Sequence, residues 1–260
     1  SSSVVTPKSS KTNDTATNPT KTITAAMSML FSETMLCGHR RVFSKERTKL
    51  AIMNGPTGSP IWWEDAKNHL KKVDKNMAQI IESVENPPLQ GLGDVVTTMC
   101  NAVVGQQISS KAADAIWSRF IDLLGGKFNS DSVLLIDDQS LRDVGLSRMK
   151  IRTIKGICES AESLRNVDWG SLSQEEIQSF ITKLWGVGPW TAEMVMIFSL
   201  HLPDIFPLGD IGVVRSIEAL EGKEKMTEKE LLKRSEIWKP YRTCAVWYLW
   251  RQHDENPVLY

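Results

Sequence analysis

No stretch of the sequence stays apolar for the roughly 18–20 residues that a membrane span requires, so no membrane-crossing helix is expected. No C-x-x-C pair occurs either: Cys37, Cys100, Cys158 and Cys244 stand far apart. That spacing argues against a structural zinc site and against the clustered thiolates of an iron–sulfur loop. Scattered single cysteines suit a reducing compartment, where they act as small core residues. Period-two alternation is missing, and no Asn-Gly or Asp-Gly turn lies between β-branched runs, which disfavours β-hairpins. His39, His69, His201 and His253 form no motif with carboxylates or cysteines, so structural or surface roles are expected for them.

Net charge is also absent, since 31 Lys+Arg balance 31 Asp+Glu over 260 residues. The balance is uneven along the chain. Residues 1–60 hold eight basic against three acidic residues, leaving 23 basic against 28 acidic in the remainder. A slightly acidic body gives no bulk sign of nucleic-acid binding, so any such function must rest on local sites. The opening "SSSVVTPKSSKTNDTATNPTKT" is Ser/Thr-rich with little to bury, and residues 1–58 are expected to be a disordered tail. An acid-poor leader of this kind also fits an organelle-targeting peptide, or a start placed ahead of Met53. Residues 59–260 are then the folded domain.

What is present is helical period. In "DVVTTMCNAVVGQQ" (94–107), "SSKAADAIWSRFIDLL" (109–124) and "MKIRTIKGICESAESL" (149–164), apolar residues recur every three to four positions. Ser173 with Glu176 and Thr227 with Glu230 fit the capping box, in which two side chains satisfy backbone amides at a helix start. The expected class is all-α, with about ten helices joined by short loops, by count of such segments.

One joint stands apart. In "KLWGVGPWTAEMVMIF" (183–198), two glycines one residue apart precede Pro-Trp between two helical segments, expected at 175–184 and 190–200. Gly186 and Gly188 permit a tight reversal at no Cβ cost, and Pro189 suits a first helical position. The amides around Val187 and Gly188 are expected to face outward beside a helix N-terminus, a combination that attracts phosphate. From these residues alone, a plain helix-to-helix joint is the more common reading.

"LWGVGPWTAEM" resembles the helix–hairpin–helix of the base-excision DNA glycosylase superfamily. "DIFPLGDIGVVR" is similar to that superfamily's Gly/Pro-rich loop, which ends in an essential aspartate, here Asp210. "MCNAVVGQQISSKAADAIWSRF", "LRDVGLSRMKIRTI" and "IWKPYRTCAVWYLWR" resemble further blocks of its alkylated-base, 3-methyladenine branch. The resemblance runs over about residues 60–253 and implies a compact, two-lobed helical fold with DNA between the lobes.

It also implies roles. Asp210, which its position before "IGVVRSIEAL" makes a helix N-cap, would stabilise the oxocarbenium-like sugar formed as a base departs. Trp190, Trp250, Trp247 and Met194 would wall the pocket for an extruded base, an indole face suiting a cationic methylpurine. Gly186, Val187, Gly188 and Thr191 would meet DNA at the hairpin, and Gln106 or Gln107 would fill the gap left by the base, Gln107 aligning better. Lys111, Arg148 and Lys150 are further candidates for phosphate contact. Members that also cut the strand carry lysine where this chain has Trp190, so a monofunctional hydrolase is expected. No cofactor is expected beyond a monovalent cation on the backbone carbonyls of Thr182, Leu184 and Val187. The expected partner is double-stranded DNA with damaged bases, met by a monomer in a nucleoid or nucleus, without a membrane. Glycosylases for uracil, hypoxanthine or etheno adducts, and a non-catalytic hairpin protein, stay open as alternatives. Trp117 and Trp185 are expected in the core.

Overall fold

The computed structural model describes residues 58–84, 88–92 and 94–252; the tail expected over residues 1–58 lies outside them but for Gly58. Thirteen α-helices and two short 3-10 turns occur among the described residues, and no strand. The helices are α1 (Trp63–Val73), α2 (Lys75–Ser83), α3 (Val95–Gly105), α4 (Ser110–Leu123), α5 (Ser130–Leu135), α6 (Asp138–Asp143), α7 (Arg148–Glu159), α8 (Ala161–Arg165), α9 (Gln174–Ile181), α10 (Pro189–Phe198), α11 (Ile211–Leu220), α12 (Glu228–Ser235) and α13 (Arg242–Arg251). The number exceeds the ten expected because α5, α6 and α8 are only five or six residues long. Elements of that length complete too few turns to show a period.

Short polar residues start most of these helices. Asp74, Asp94, Ser109, Asn129, Asp137 and Ser147 each accept a backbone amide from the first turn of the helix that follows. Both expected capping boxes form, at Ser173–Glu176 and Thr227–Glu230. Each cap of this type is worth roughly 1 kcal/mol.

The middle of the chain, α3 to α10, packs around α3, which meets α4, α7, α8 and α10. Helices α3 and α10 are apolar nearly all round, and Met99, Val103, Val104, Val195 and Ile197 are fully or almost fully buried. Burying each such side chain stabilises the fold by about 1.5–3 kcal/mol. The first and last helices of the described residues, α1–α2 and α11–α13, form the second lobe, with α13 against α1, α2 and α11. Inside it Asp74 accepts the Trp238 indole N–H at 2.8 Å and pairs with Arg234, whose Nε also reaches Glu221 at 2.6 Å. The lobes meet where Phe198 of α10 stacks on Trp250 of α13, ring centroids 5.9 Å apart. The open side of that junction is the site.

Candidate active site

Asp210 sits at the junction, because a tight turn delivers it there: its amide returns to the Pro207 carbonyl at 2.9 Å. Its carboxylate caps α11, Oδ1 accepting the Val213 amide at 2.9 Å. The same oxygen accepts the Trp250 indole N–H at 3.0 Å, and Oδ2 accepts that of Trp190 at 2.8 Å. One indole comes from each lobe, so the carboxylate is pinned from both sides. It is half-buried and lines a cleft of about 970 Å³ bounded by Gly105–Ser110 and Ala113, the start of α10, Gly209–Gly212 and Arg215, and the end of α13. Gly212 lies close against this arrangement. A Cβ there would come within 3.2 Å of Asp210 Oδ1 and 3.4 Å of the Trp250 ring.

The hairpin borders the same cleft. Gly186 takes φ +76°, the left-handed conformation that glycine tolerates. Gly188 does not: its φ is −103° and a Cβ there would meet nothing within 4 Å, so its bareness leaves the approach to α10 open rather than making the turn. Val187 corrects one expectation. Its amide donates to the Leu184 carbonyl at 3.2 Å and its side chain is buried, so that N–H does not face outward. The amides of Gly188, Trp190 and Thr191 have no partner among the described hydrogen bonds, and α10, with Pro189 first, lacks a side-chain cap. An uncapped helix start with open amides favours an anion.

A match to the description "HhH-GPD superfamily base excision DNA repair protein" covers residues 100–240. DNA-3-methyladenine glycosylase 1 of Schizosaccharomyces pombe is 34% identical over 195 residues, 72% of this chain and 86% of that protein. The chain belongs to the HhH-GPD superfamily. Among solved structures, the S. pombe 3-methyladenine DNA glycosylase in complex with abasic DNA matches with TM-score 0.66 and 33% identity, over 72% of this chain and 95% of that one. A 3-methyladenine DNA glycosylase from Archaeoglobus fulgidus shares the fold at TM-score 0.64 and 21% identity, over 83% and 77% of the two chains.

Within this HhH-GPD fold, several expected residues converge and others do not. Asp210, Trp190, Trp250, Gly188, Thr191, Gln106 and Gln107 all line the cleft. Trp247 does not. It is 2% exposed, packed edge-on against Trp63 and Tyr248, because α1 folds back over that face of α13. Met194 is likewise core, 3% exposed and outside the cleft. Gln106 is a strut: its Nε2 donates to Thr191 Oγ1 at 3.0 Å and to the Gly186 carbonyl at 3.3 Å, tying α3 to the hairpin. Gln107 is exposed at the cleft mouth with φ +58°, a conformation uncommon outside glycine. Lys111 and Arg148 are exposed, whereas Lys150 donates to the Val104 carbonyl at 2.7 Å and is spent on the end of α3; burial lowers its pKa. Trp117 is half-buried against Phe120 and Phe128, and Trp185, expected inside, is 40% exposed.

Two features escaped the sequence reading. Arg215 and Arg251 are among the residues that line the cleft, the Arg251 guanidinium lying over the Trp247 ring. Glu193, one turn beyond Trp190 on α10, is a partly buried carboxyl whose pKa is pushed up to about 7, by burial and by the charge of Asp210. The only signal for it was one acid inside an apolar helix.

The carbonyls proposed for a cation can be judged from their bonding. Those of Thr182 and Val187 accept no described backbone hydrogen bond, while that of Leu184 is used once. Uncharged carbonyl oxygens without a carboxylate fit a weakly bound monovalent ion better than a divalent one. Among the described residues no His/Cys/Asp/Glu group could hold a metal, and no helix is long and apolar enough to cross a membrane.

Proposed function

We propose that the protein is a monofunctional DNA glycosylase that removes alkylated purines from double-stranded DNA in base-excision repair. The observation that carries this reading is the Asp210 carboxylate, presented to an open cleft by two indole N–H groups beside an uncapped helix start. An isolated DNA-binding hairpin needs no such carboxylate.

The open amides of Gly188, Trp190 and Thr191 grip a backbone phosphate; the carbonyls of Thr182, Leu184 and Val187 would hold a monovalent cation, which would steady the turn. The damaged nucleotide swings out of the stack into the cleft, and Gln107 fills the vacated position. A purine methylated at N3 or N7 is cationic, so the faces of Trp190 and Trp250 attract it. The C1′–N bond breaks, and its electron pair leaves with the base, neutralising it. Positive charge then appears on the deoxyribose, where the fixed Asp210 carboxylate stabilises it. Water adds to C1′ and gives up its proton, to Asp210 or to solvent through it.

Strand cleavage would need an amine to attack C1′. Trp190 cannot do so, and no lysine is among the described residues that line the cleft. The protein is proposed to act as a monomer on nucleoid or nuclear DNA. Wild type and Asp210→Asn are compared on duplex DNA methylated at purines, scoring base release before and after alkali. Release by wild type, its loss in the variant, and breaks that appear only after alkali are expected. Undiminished release by Asp210→Asn refutes the mechanism, and a borohydride-trapped protein–DNA adduct refutes the monofunctional assignment.

A further inference from the structure

The hairpin has a second exposed edge that the cleft does not use. Trp185, directly before Gly186, is 40% exposed and lies outside the cleft lining. Arg152 of α7 holds its guanidinium carbon 3.9 Å from the centroid of the indole. The two elements that carry this pair are locked together. A Cβ on Gly186 would strike the Thr153 hydroxyl and come within 3.1 Å of Thr153 Cγ2, so the turn lies flush on α7. Thr153 itself donates to the Met149 carbonyl at 3.0 Å. Met149, one turn before Arg152, is 62% exposed.

Charge along this edge has one sign. Residues 147–158 and 182–192 contain Arg148, Lys150, Arg152, Lys155 and Lys183 and no acidic residue, although residues 61–260 carry more acid than base. Lys150 is spent on the Val104 carbonyl and Lys155 on Asp138. Arg148, Arg152 and Lys183 are exposed and take part in none of the described ion pairs. A rigid indole flanked by three available cations, continuous with the open amides of the hairpin, complements a polyanion with flat apolar faces between its charges. A nucleic-acid strand has that character.

We propose that the strand held by the hairpin continues over this edge, Trp185 packing against a deoxyribose and Arg152, Arg148 and Lys183 meeting the neighbouring phosphates. The proposal rests on the reading of the hairpin as a DNA clamp and extends it. Trp185 and Arg152 are positioning residues that raise affinity for duplex without regard to lesion or sequence, because they meet only backbone.

The test uses the full chain and a fluorescent duplex bearing a tetrahydrofuran abasic analogue, titrated at several salt concentrations. Trp185→Ala and Arg152→Gln are each expected to weaken binding about tenfold. Arg152→Gln should also lower the slope of log K against log salt by about 1, and Arg152→Lys should restore that slope, which a merely structural defect would not do. On methylated DNA the loss should fall in KM rather than kcat. If Trp185→Ala melts at a much lower temperature than wild type, the Arg152 pair of variants carries the test. Binding within twofold of wild type and an unchanged slope in Arg152→Gln overturn the proposal while leaving the clamp intact. A wild-type protein that fails to bind the duplex overturns both together.

Discussion

Replacing Trp190 by Phe isolates the anchoring of the carboxylate from the stacking of a base. The substitution keeps an aromatic face at the start of α10 and removes the N–H that donates to Asp210 Oδ2 at 2.8 Å. Oδ1 keeps two donors, the Val213 amide and the Trp250 indole, so the carboxylate stays tethered at that oxygen but gains freedom to rotate about it. A hydrogen bond to a charged group is worth about 1.5–3 kcal/mol net. If that energy holds the oxygen in place as charge grows on the sugar, its loss slows the chemical step by roughly tenfold to a hundredfold, at about 1.4 kcal/mol per factor of ten. The fold should barely respond, because the freed oxygen faces the cleft and finds water. The assay is single-turnover release of methylpurine from duplex DNA with enzyme in excess, beside a thermal melt. Trp190→Phe within twofold of wild type, while Asp210→Asn is inactive, would refute the reasoning: the carboxylate would act without its anchor.

Other outcomes follow from the same geometry. Gly186→Ala should lower both melting temperature and DNA affinity by a destabilisation above about 1 kcal/mol, since φ is +76° and the new Cβ collides with Thr153; a melt within 1 °C of wild type would contradict this. Arg234→Met strips the pair from Asp74, whose side chain is 5% exposed, and should cost about 3–5 kcal/mol in denaturant titration, where a loss below 1 kcal/mol would count against a structural role for the network. Burial acts to raise the Asp74 pKa, but the hydrogen bonds from Trp238 and Arg234 outweigh it and hold the value below normal, so its stabilisation is present above the ordinary carboxylate range and is lost on acidification. Glu193 has the opposite sign. With a folded pKa of about 7 against 4.5 for the free group, its contribution is full below 4.5 and lost as pH rises through 7. Glu193→Gln should flatten the melting temperature between those limits, and an unchanged pH profile would remove Glu193 as its source.

Features legible in the sequence are those set by neighbours along the chain. The Ser173 and Thr227 boxes, Pro189 at the head of α10 and Asp210 as a cap each require only groups within four residues, so pattern sufficed. Val187 shows the limit even locally. Its amide turns inward because the turn closes on Leu184, a choice of backbone angle that "WGVG" leaves open. Trp247 and Trp250 show it over distance: three residues apart on one helix, they read as one face, yet about 60° of rotation separates them. Helix α1 covers the first and the cleft takes the second. Trp185 went the other way, left outside because α7 offers it an arginine rather than a pocket.

The chain by itself determined that the protein is helical, where its best-marked helices begin, and that a glycine hairpin and a capping aspartate lie twenty-odd residues apart. Period, caps and turn residues encode these through contacts that exist before the chain closes on itself. The folded structure alone decided that indoles from two lobes converge on one carboxylate, that an acid sits beside it, and that a basic aromatic edge flanks the turn. Those are meetings of residues 17 to 40 positions apart in sequence. Their geometry depends on how α10, α11 and α13 pack, and side-chain packing leaves no periodic trace in the order of residues.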